Sequence, residues 1–180
     1  FYVTVLAFSL GLTAGLMIIS QASPILQNSL GFPAAKAALF VSVFVACNMA
    51  GRFVWGALSN RIGLFAAMTC IFILAMGSMA LLAIWSNPLA MLFCMGLAAS
   101  CYGGLASILT PFTARLFGRT YITENYGVMY IVFGISSLLA PNVAIGFLSN
   151  TGSYTGAYIT AAAFALLGLL LSRILGKKMI

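Results

Sequence analysis

The chain has 180 residues, of which 63% are hydrophobic and 5% charged, with eight Lys plus Arg, one acid and no His. About a quarter of the residues in a soluble domain are charged, so this composition excludes one. The basic residues sit at the ends of apolar runs, which makes a membrane surface their partner and not nucleic acid.

Six runs are long and apolar enough to cross about 30 Å of hydrocarbon. They are predicted as helices near 2–21, 35–57, 64–85, 88–110, 125–147 and 154–175, which makes the chain an all-α membrane protein. Span one carries Gly11 and Gly15 in a GxxxG pattern, a mark of close helix contact. "QASPILQNSLGFP" follows and reads as turn chemistry. Span two holds Arg52 inside its apolar part and leads into the turn "SNRIG". Span three, "LFAAMTCIFILAMGSMALLAIW", is plain and ends at "SNP". Span four carries Gly103 and Gly104, and Pro111 is expected to end or kink it. The loop "RLFGRTYITEN" contains Glu124, the sole acid. Span five has Gly134 and Gly146, read as packing positions, and Pro141, which frees a backbone carbonyl. "SNTGSYTG" brings a second GxxxG, Gly152 and Gly156, before span six, which is as plain as span three.

Cys47, Cys70, Cys94 and Cys101 all fall inside spans without metal-ligand spacing, and are expected to be buried free thiols. The first span lacks the basic flank of a cleavable signal. The chain begins at Phe1 without a Met, and is expected to be a piece of something longer.

Arg52, Arg61, Arg115, Arg119, Arg173, Lys177 and Lys178 lie on one side, against Lys36 alone on the other. The positive-inside rule then places both termini in the cytoplasm. The plain spans stand third and sixth, so the chain divides into two triples, the second inverted because three is odd. No residue-level repeat between the triples is evident. Spans one, two, four and five are expected to line a cavity, with three and six outside.

An ionised Arg52 facing lipid at mid-depth costs about 2.5–3.5 kcal/mol on insertion scales. Its stem can snorkel toward the headgroups. Alternatively its face meets water or protein, and Asn48, four residues earlier on the same face, favours that. With no acid in any span, an inward Arg52 needs a partner from elsewhere or an anionic ligand, and a guanidinium suits the planar, bidentate recognition of a carboxylate. Tyr102 and Tyr130, also within spans, either pack with one hydrogen bond or face substrate. There is no paired carboxylate, no nucleophile with a base and no phosphate loop. The sequence thus argues against an enzyme and implies no cofactor or metal.

Gly56-Ala57-Leu58-Ser59-Asn60-Arg61-Ile62-Gly63 resembles the G-x-L-x-D-R-x-G loop of the major facilitator superfamily, which joins the second and third helices of each six-helix half. "FYVTVLAFSLGLTAGLMIIS", "YGGLASILTPFTARLFG" and "NYGVMYIVFGISSLLAP" are similar to the C-terminal half of the oxalate/formate antiporter family, which includes monocarboxylate carriers. The resemblance implies that residues 1–180 are the C-terminal six-helix bundle, a 3+3 inverted repeat, and that the N-terminal half is absent. It implies that Arg52 binds a substrate carboxylate and that Tyr102 and Tyr130 form the aromatic side of the site. Phe133 stands where the oxalate exchanger has a second cation, which favours a monocarboxylate of the pyruvate, lactate or formate type. Gly56, Asn60, Arg61 and Gly63 would serve conformational change, with Asn60 where the loop usually has Asp.

The expected function is therefore secondary active transport of small organic anions by alternating access, coupled to protons or to a counter-transported anion. The expected setting is the lipid bilayer of a bacterial cytoplasmic (inner) membrane, with an N-terminal six-helix half as partner. The competing expectations are a carrier for neutral or cationic compounds, and a non-transporting six-helix scaffold or channel subunit.

Overall fold

Within a bilayer the backbone must satisfy its own hydrogen bonds, and a helix does so internally. The computed structural model describes the backbone of residues 2–85, 87–118 and 121–178, and their side chains except those of residues 132 and 175–178. Ser86 and Arg119, placed above in connecting turns, lie outside the described residues, as do the side chains of Lys177 and Lys178. The regular elements among the described residues are α1 (Tyr2–Ser20), α2 (Ala22–Leu30), α3 (Ala34–Ile62), α4 (Leu64–Ile84), α5 (Pro88–Phe117), α6 (Ile122–Thr151) and α7 (Thr155–Lys178). All but α2 contain a stretch long and apolar enough to cross a membrane.

The turn expected at "QASPILQNSLGFP" is a helix. The Ile25 N–H donates to the Gln21 carbonyl at 2.8 Å, so helical bonding resumes at once after α1. Pro24 falls in the first turn of α2, where its missing N–H has no intrahelical partner to lose. Gly31, at φ 64°, ends α2. The polar Gln27, Asn28 and Ser29 of α2 are exposed while Ala22, Ile25 and Leu26 are buried, so the polar stretch is one face of a helix and not a turn.

Pro111 also fails to end its helix, and α5 runs on to Phe117. At 30 residues each, α5 and α6 are about 45 Å long, enough to pass through the headgroup layers as well. The entry of α5 is set by Asn87, whose side-chain oxygen accepts the Leu89 N–H at 2.9 Å, with Pro88 in the first position.

α1 and α5 form the middle of the bundle, with 56% of the most apolar window of each buried. α4 and α7 pack on each other and against α5 and α1 respectively, while α3 packs on α5 and α6 on α1. Exchanging α1 with α5, α3 with α6 and α4 with α7 returns the same main contacts. That exchange relates two triples, and an odd number of spans per triple makes the second inverted. A short residue repeat accompanies it, contrary to the expectation of none. Gly56-Ala57-Leu58-Ser59-Asn60 near the end of α3 matches Gly146-Phe147-Leu148-Ser149-Asn150 near the end of α6. In each the serine hydroxyl donates to the glycine carbonyl, at 2.8 and 3.0 Å. Each helix then stops at a glycine with positive φ, Gly63 at 90° and Gly152 at 69°. Gly152 is thus a helix cap and not the packing position expected of it.

The core has an aromatic end and a methionine-rich end. Phe8 and Phe65 both meet Phe112 edge-on, at 5.2 and 4.9 Å between ring centroids, while Met17, Leu26, Met79 and Met95 fill the other end. Gly11 seats against Phe72 and Leu105, and Gly15 against Tyr102, as close contact requires. Gly134 and Gly146 instead have nothing within 4 Å of a built Cβ, because α6 touches its neighbours over a narrow face. Cys94 and Cys101 are buried, but Cys47 is only half-buried and Cys70 is exposed on the outer face of α4.

Candidate functional site

α3 is the least buried span, with 17% of its apolar window covered. Gly51 is buried against α5, and one residue further along, about 100° around the helix, Arg52 reaches the exposed side. The Arg52 stem rests on α5, with Cγ 3.3 Å from where a Cβ of Gly103 would lie. There the guanidinium is within electrostatic reach of both Tyr102 and Tyr130. An open groove of about 440 Å³ follows α3 beside it, lined by Val45, Asn48, Met49, Arg52 and Phe53.

The expected aromatic residues do come together. Tyr102, on α5, stacks toward Phe133, on α6, with ring centroids 6.4 Å apart. Phe133 lies 5.5 Å from Tyr130, and Tyr130 lies 4.7 Å from Tyr126. Tyr126, Tyr130 and Phe133 share one face of α6 at spacings of four and three. Tyr102 is buried against Gly15, whereas Tyr130 is half exposed. Tyr126 was not anticipated, although its position four residues before Tyr130 was the available signal.

Asn48 lines the groove with Arg52 and also bonds to protein. Its amide donates to the Ala99 carbonyl of α5 at 3.3 Å, so one side of the group ties two helices together. The residues expected in a loop form a separate set, and all but Gly63 lie in the last turns of α3, which runs through "SNRI" because its helical bonding continues to Gly63. Gly56 is half-buried, Asn60 and Arg61 are exposed, and Gly63 closes α3 with its N–H on the Ser59 carbonyl at 3.0 Å. At helical rise Arg61 lies about 13 Å along α3 from Arg52, too far to touch the same small ligand.

The sole carboxylate, Glu124, lies in the first turn of α6, at the very start of that span. Among the described residues no group of His, Cys, Asp or Glu converges on a metal position. The chemistry on offer is one guanidinium beside phenol hydroxyls and aromatic faces, a set that binds and orients an anion without transforming it.

Two triples of membrane-length helices related by this exchange, the second inverted, are the architecture of half of a secondary transporter. Residues 3–178 match the Major Facilitator Superfamily, and the chain belongs to that family. Its members are transporters and not enzymes. The chain is 30% identical over 126 residues to the uncharacterized MFS-type transporter YhjX of Escherichia coli, an alignment covering 69% of this chain and 31% of that protein. It is 26% identical over 168 residues to the oxalate:formate antiporter of Oxalobacter formigenes, covering 84% and 38%. It is 25% identical over 138 residues to monocarboxylate transporter 12 of Mus musculus, covering 73% and 28%. The chain thus spans between 28% and 38% of the length of these relatives.

Proposed function

We propose that the chain is the C-terminal six-helix half of a carrier that moves small monocarboxylates, of the pyruvate, lactate or formate type, by alternating access. The observation that carries this reading is Arg52, a guanidinium exposed on α3 within electrostatic reach of Tyr102 and Tyr130, while the sole acid, Glu124, lies away in the first turn of α6. Closing a cavity over an uncompensated guanidinium costs several kcal/mol, and a bound carboxylate supplies the missing charge. The carboxylate would take the planar fork of Arg52, Tyr130 would donate a hydrogen bond, and Tyr102 and Phe133 would cover the small apolar remainder. With Phe133 at the aromatic shelf and no second cation there, a dicarboxylate would leave one charge unmatched. The names of two relatives, an oxalate:formate antiporter and a monocarboxylate transporter, agree with carboxylate cargo.

The exposed faces of α3 and α6, whose apolar windows are 17% and 18% buried, fit an N-terminal half packed across them. The Lys and Arg distribution supports cytoplasmic termini in a bacterial inner membrane. Gly56, Asn60, Arg61 and Gly63 would act in the conformational change, and coupling would be to protons or to a counter-transported anion.

The test uses the full-length protein in proteoliposomes with labelled pyruvate and formate. Arg52→Ala is expected to abolish uptake, and Arg52→Lys to weaken it, because an ammonium keeps the charge but loses the fork. Unchanged uptake by Arg52→Ala would remove the carboxylate assignment.

A further inference from the structure

α3 and α5 are the second and fourth spans, so they run parallel. Where they cross, each presents a polar residue three positions before a glycine: Asn48 and Gly51 on α3, Ser100 and Gly103 on α5. The contact is reciprocal. A Cβ on Gly51 would overlap the Ser100 carbonyl, and a Cβ on Gly103 would overlap the Asn48 carbonyl. In both cases the obstacle is backbone, which cannot swing away as a side chain can. The Asn48 amide, donating to the Ala99 carbonyl at 3.3 Å, adds a directional tie at the same level. Without a Cβ on either glycine, backbones approach closely and their dispersion contacts and Cα–H···O contacts replace side-chain packing.

The two residues of the candidate site flank this crossing: Arg52 follows Gly51, and Tyr102 precedes Gly103. The Arg52 stem lies directly over Gly103, 3.3 Å from the vacant Cβ position. We infer that Gly103 is a positioning residue for anion recognition. It seats the Arg52 stem beside Tyr102 and, with Gly51, locks α3 to α5 so that guanidinium and phenol move as one body. The inference rests on the anion reading of Arg52 and adds the residue that aims it.

The first arm of the test measures labelled pyruvate uptake by the full-length carrier in proteoliposomes. Gly103→Ala is expected to raise KM about tenfold with little change in maximal rate, since small misplacement of a binding group costs this much or more. Gly77→Ala is the control, because nothing lies within 4 Å of a Cβ built there, and KM should not change. In an Arg52→Lys background, whose aim is already lost, Gly103→Ala should add little further. An equal fold-change in both backgrounds would mean a general packing role and would overturn the inference, as would an unchanged KM. If Arg52→Ala leaves uptake untouched, the anion reading fails and the inference falls with it; if Arg52→Lys leaves KM untouched, the aim of the fork does not matter and the inference alone is overturned. If Arg52→Lys weakens uptake and Gly103→Ala does not, the inference fails alone.

The second arm needs no Gly103 variant, should that one not fold. A Cβ on Gly96 would lie 3.5 Å from the Cys47 sulfur, so Gly96→Cys places a thiol for bridging α3 to α5. The oxidised, bridged carrier should transport with its KM unchanged if the two helices form one body. Loss of transport on bridging, restored by reductant, would show that they separate during the cycle and would overturn the inference.

Discussion

The internal exchange of triples makes the α3–α5 crossing and the α6–α1 crossing counterparts, yet they are built differently. The first is backbone on backbone at Gly51 and Gly103, with the Asn48 amide across it. The second joins through hydroxyls. The Ser9 and Ser136 hydroxyls lie 3.3 Å apart, and the Ser136 hydroxyl also reaches the Ser9 carbonyl at 3.5 Å. No glycine of α6 meets α1 closely among the described residues; Gly127, Gly134 and Gly146 all face open space. The register of the repeated Gly-x-Leu-Ser-Asn also sets Arg52 against Asn142 on α6, a neutral amide that donates to its own helix at the Leu138 carbonyl. One crossing thus carries the charge on a backbone-to-backbone contact. The other, on the helix of Tyr130 and Phe133, is joined by hydroxyls and is expected to be the one that shifts. On that expectation the first crossing serves aim and the second movement.

The sharpest way to break this comparison is to freeze the looser crossing. Ser9→Cys with Ser136→Cys replaces two facing hydroxyls by thiols, and oxidation should bridge α1 to α6. The bridged full-length carrier is expected to lose most of its transport rate and to recover it with reductant. Full activity while bridged would mean that α6 does not move on α1, and the contrast with α3–α5 would be wrong.

A smaller effect is expected from the tight crossing under strain. Gly51→Val drives a branched Cβ into the Ser100 carbonyl, and overpacking of this kind costs about 1–3 kcal/mol. Thermal unfolding of the purified protein in detergent should move down accordingly. A midpoint equal to the wild type would show that α3 and α5 can part at no cost, contrary to a locked crossing.

Much of this arrangement could be read from the residues, and what could not has a definable cause. The six spans and Arg52 are visible because apolar runs and an intramembrane charge are local signals; the turn expected at "SNRIG" is instead the last turn of α3 up to Ile62, and only Gly63 ends it. The helix at Ala22–Leu30 was misread because polar residues outside the hydrocarbon look like a turn, and only hydrogen bonding separates the two cases. Gly103 and Gly134 look alike in the sequence, yet one is pressed against the backbone of Asn48 and the other faces open space. A glycine announces that something can approach, not what does. Asn48 shows the same limit: its sequence position suggests a polar face, but not that the amide both lines the groove and ties to the Ala99 carbonyl. The repeat at Gly146–Asn150 was legible in principle, but five residues do not stand out until the packing shows which helices correspond.

The smallest effect tests the hydroxyl tie itself. Ser136 is buried at 1% exposure, and Ser136→Ala removes its hydrogen bond to Ser9 with almost no change in volume. Side-chain hydrogen bonds between helices in membranes average about 0.6 kcal/mol, because the separated helices find other partners. The stability loss should therefore be near that value, well below that of Gly51→Val. The rate is the more telling measurement. If the Ser9–Ser136 contact holds α6 in one of two positions, weakening it biases the equilibrium between them and shifts the turnover rate while KM stays fixed. A raised KM with unchanged turnover would instead make Ser136 part of the aiming apparatus. The two crossings would then share one task, and the division between aim and movement would collapse.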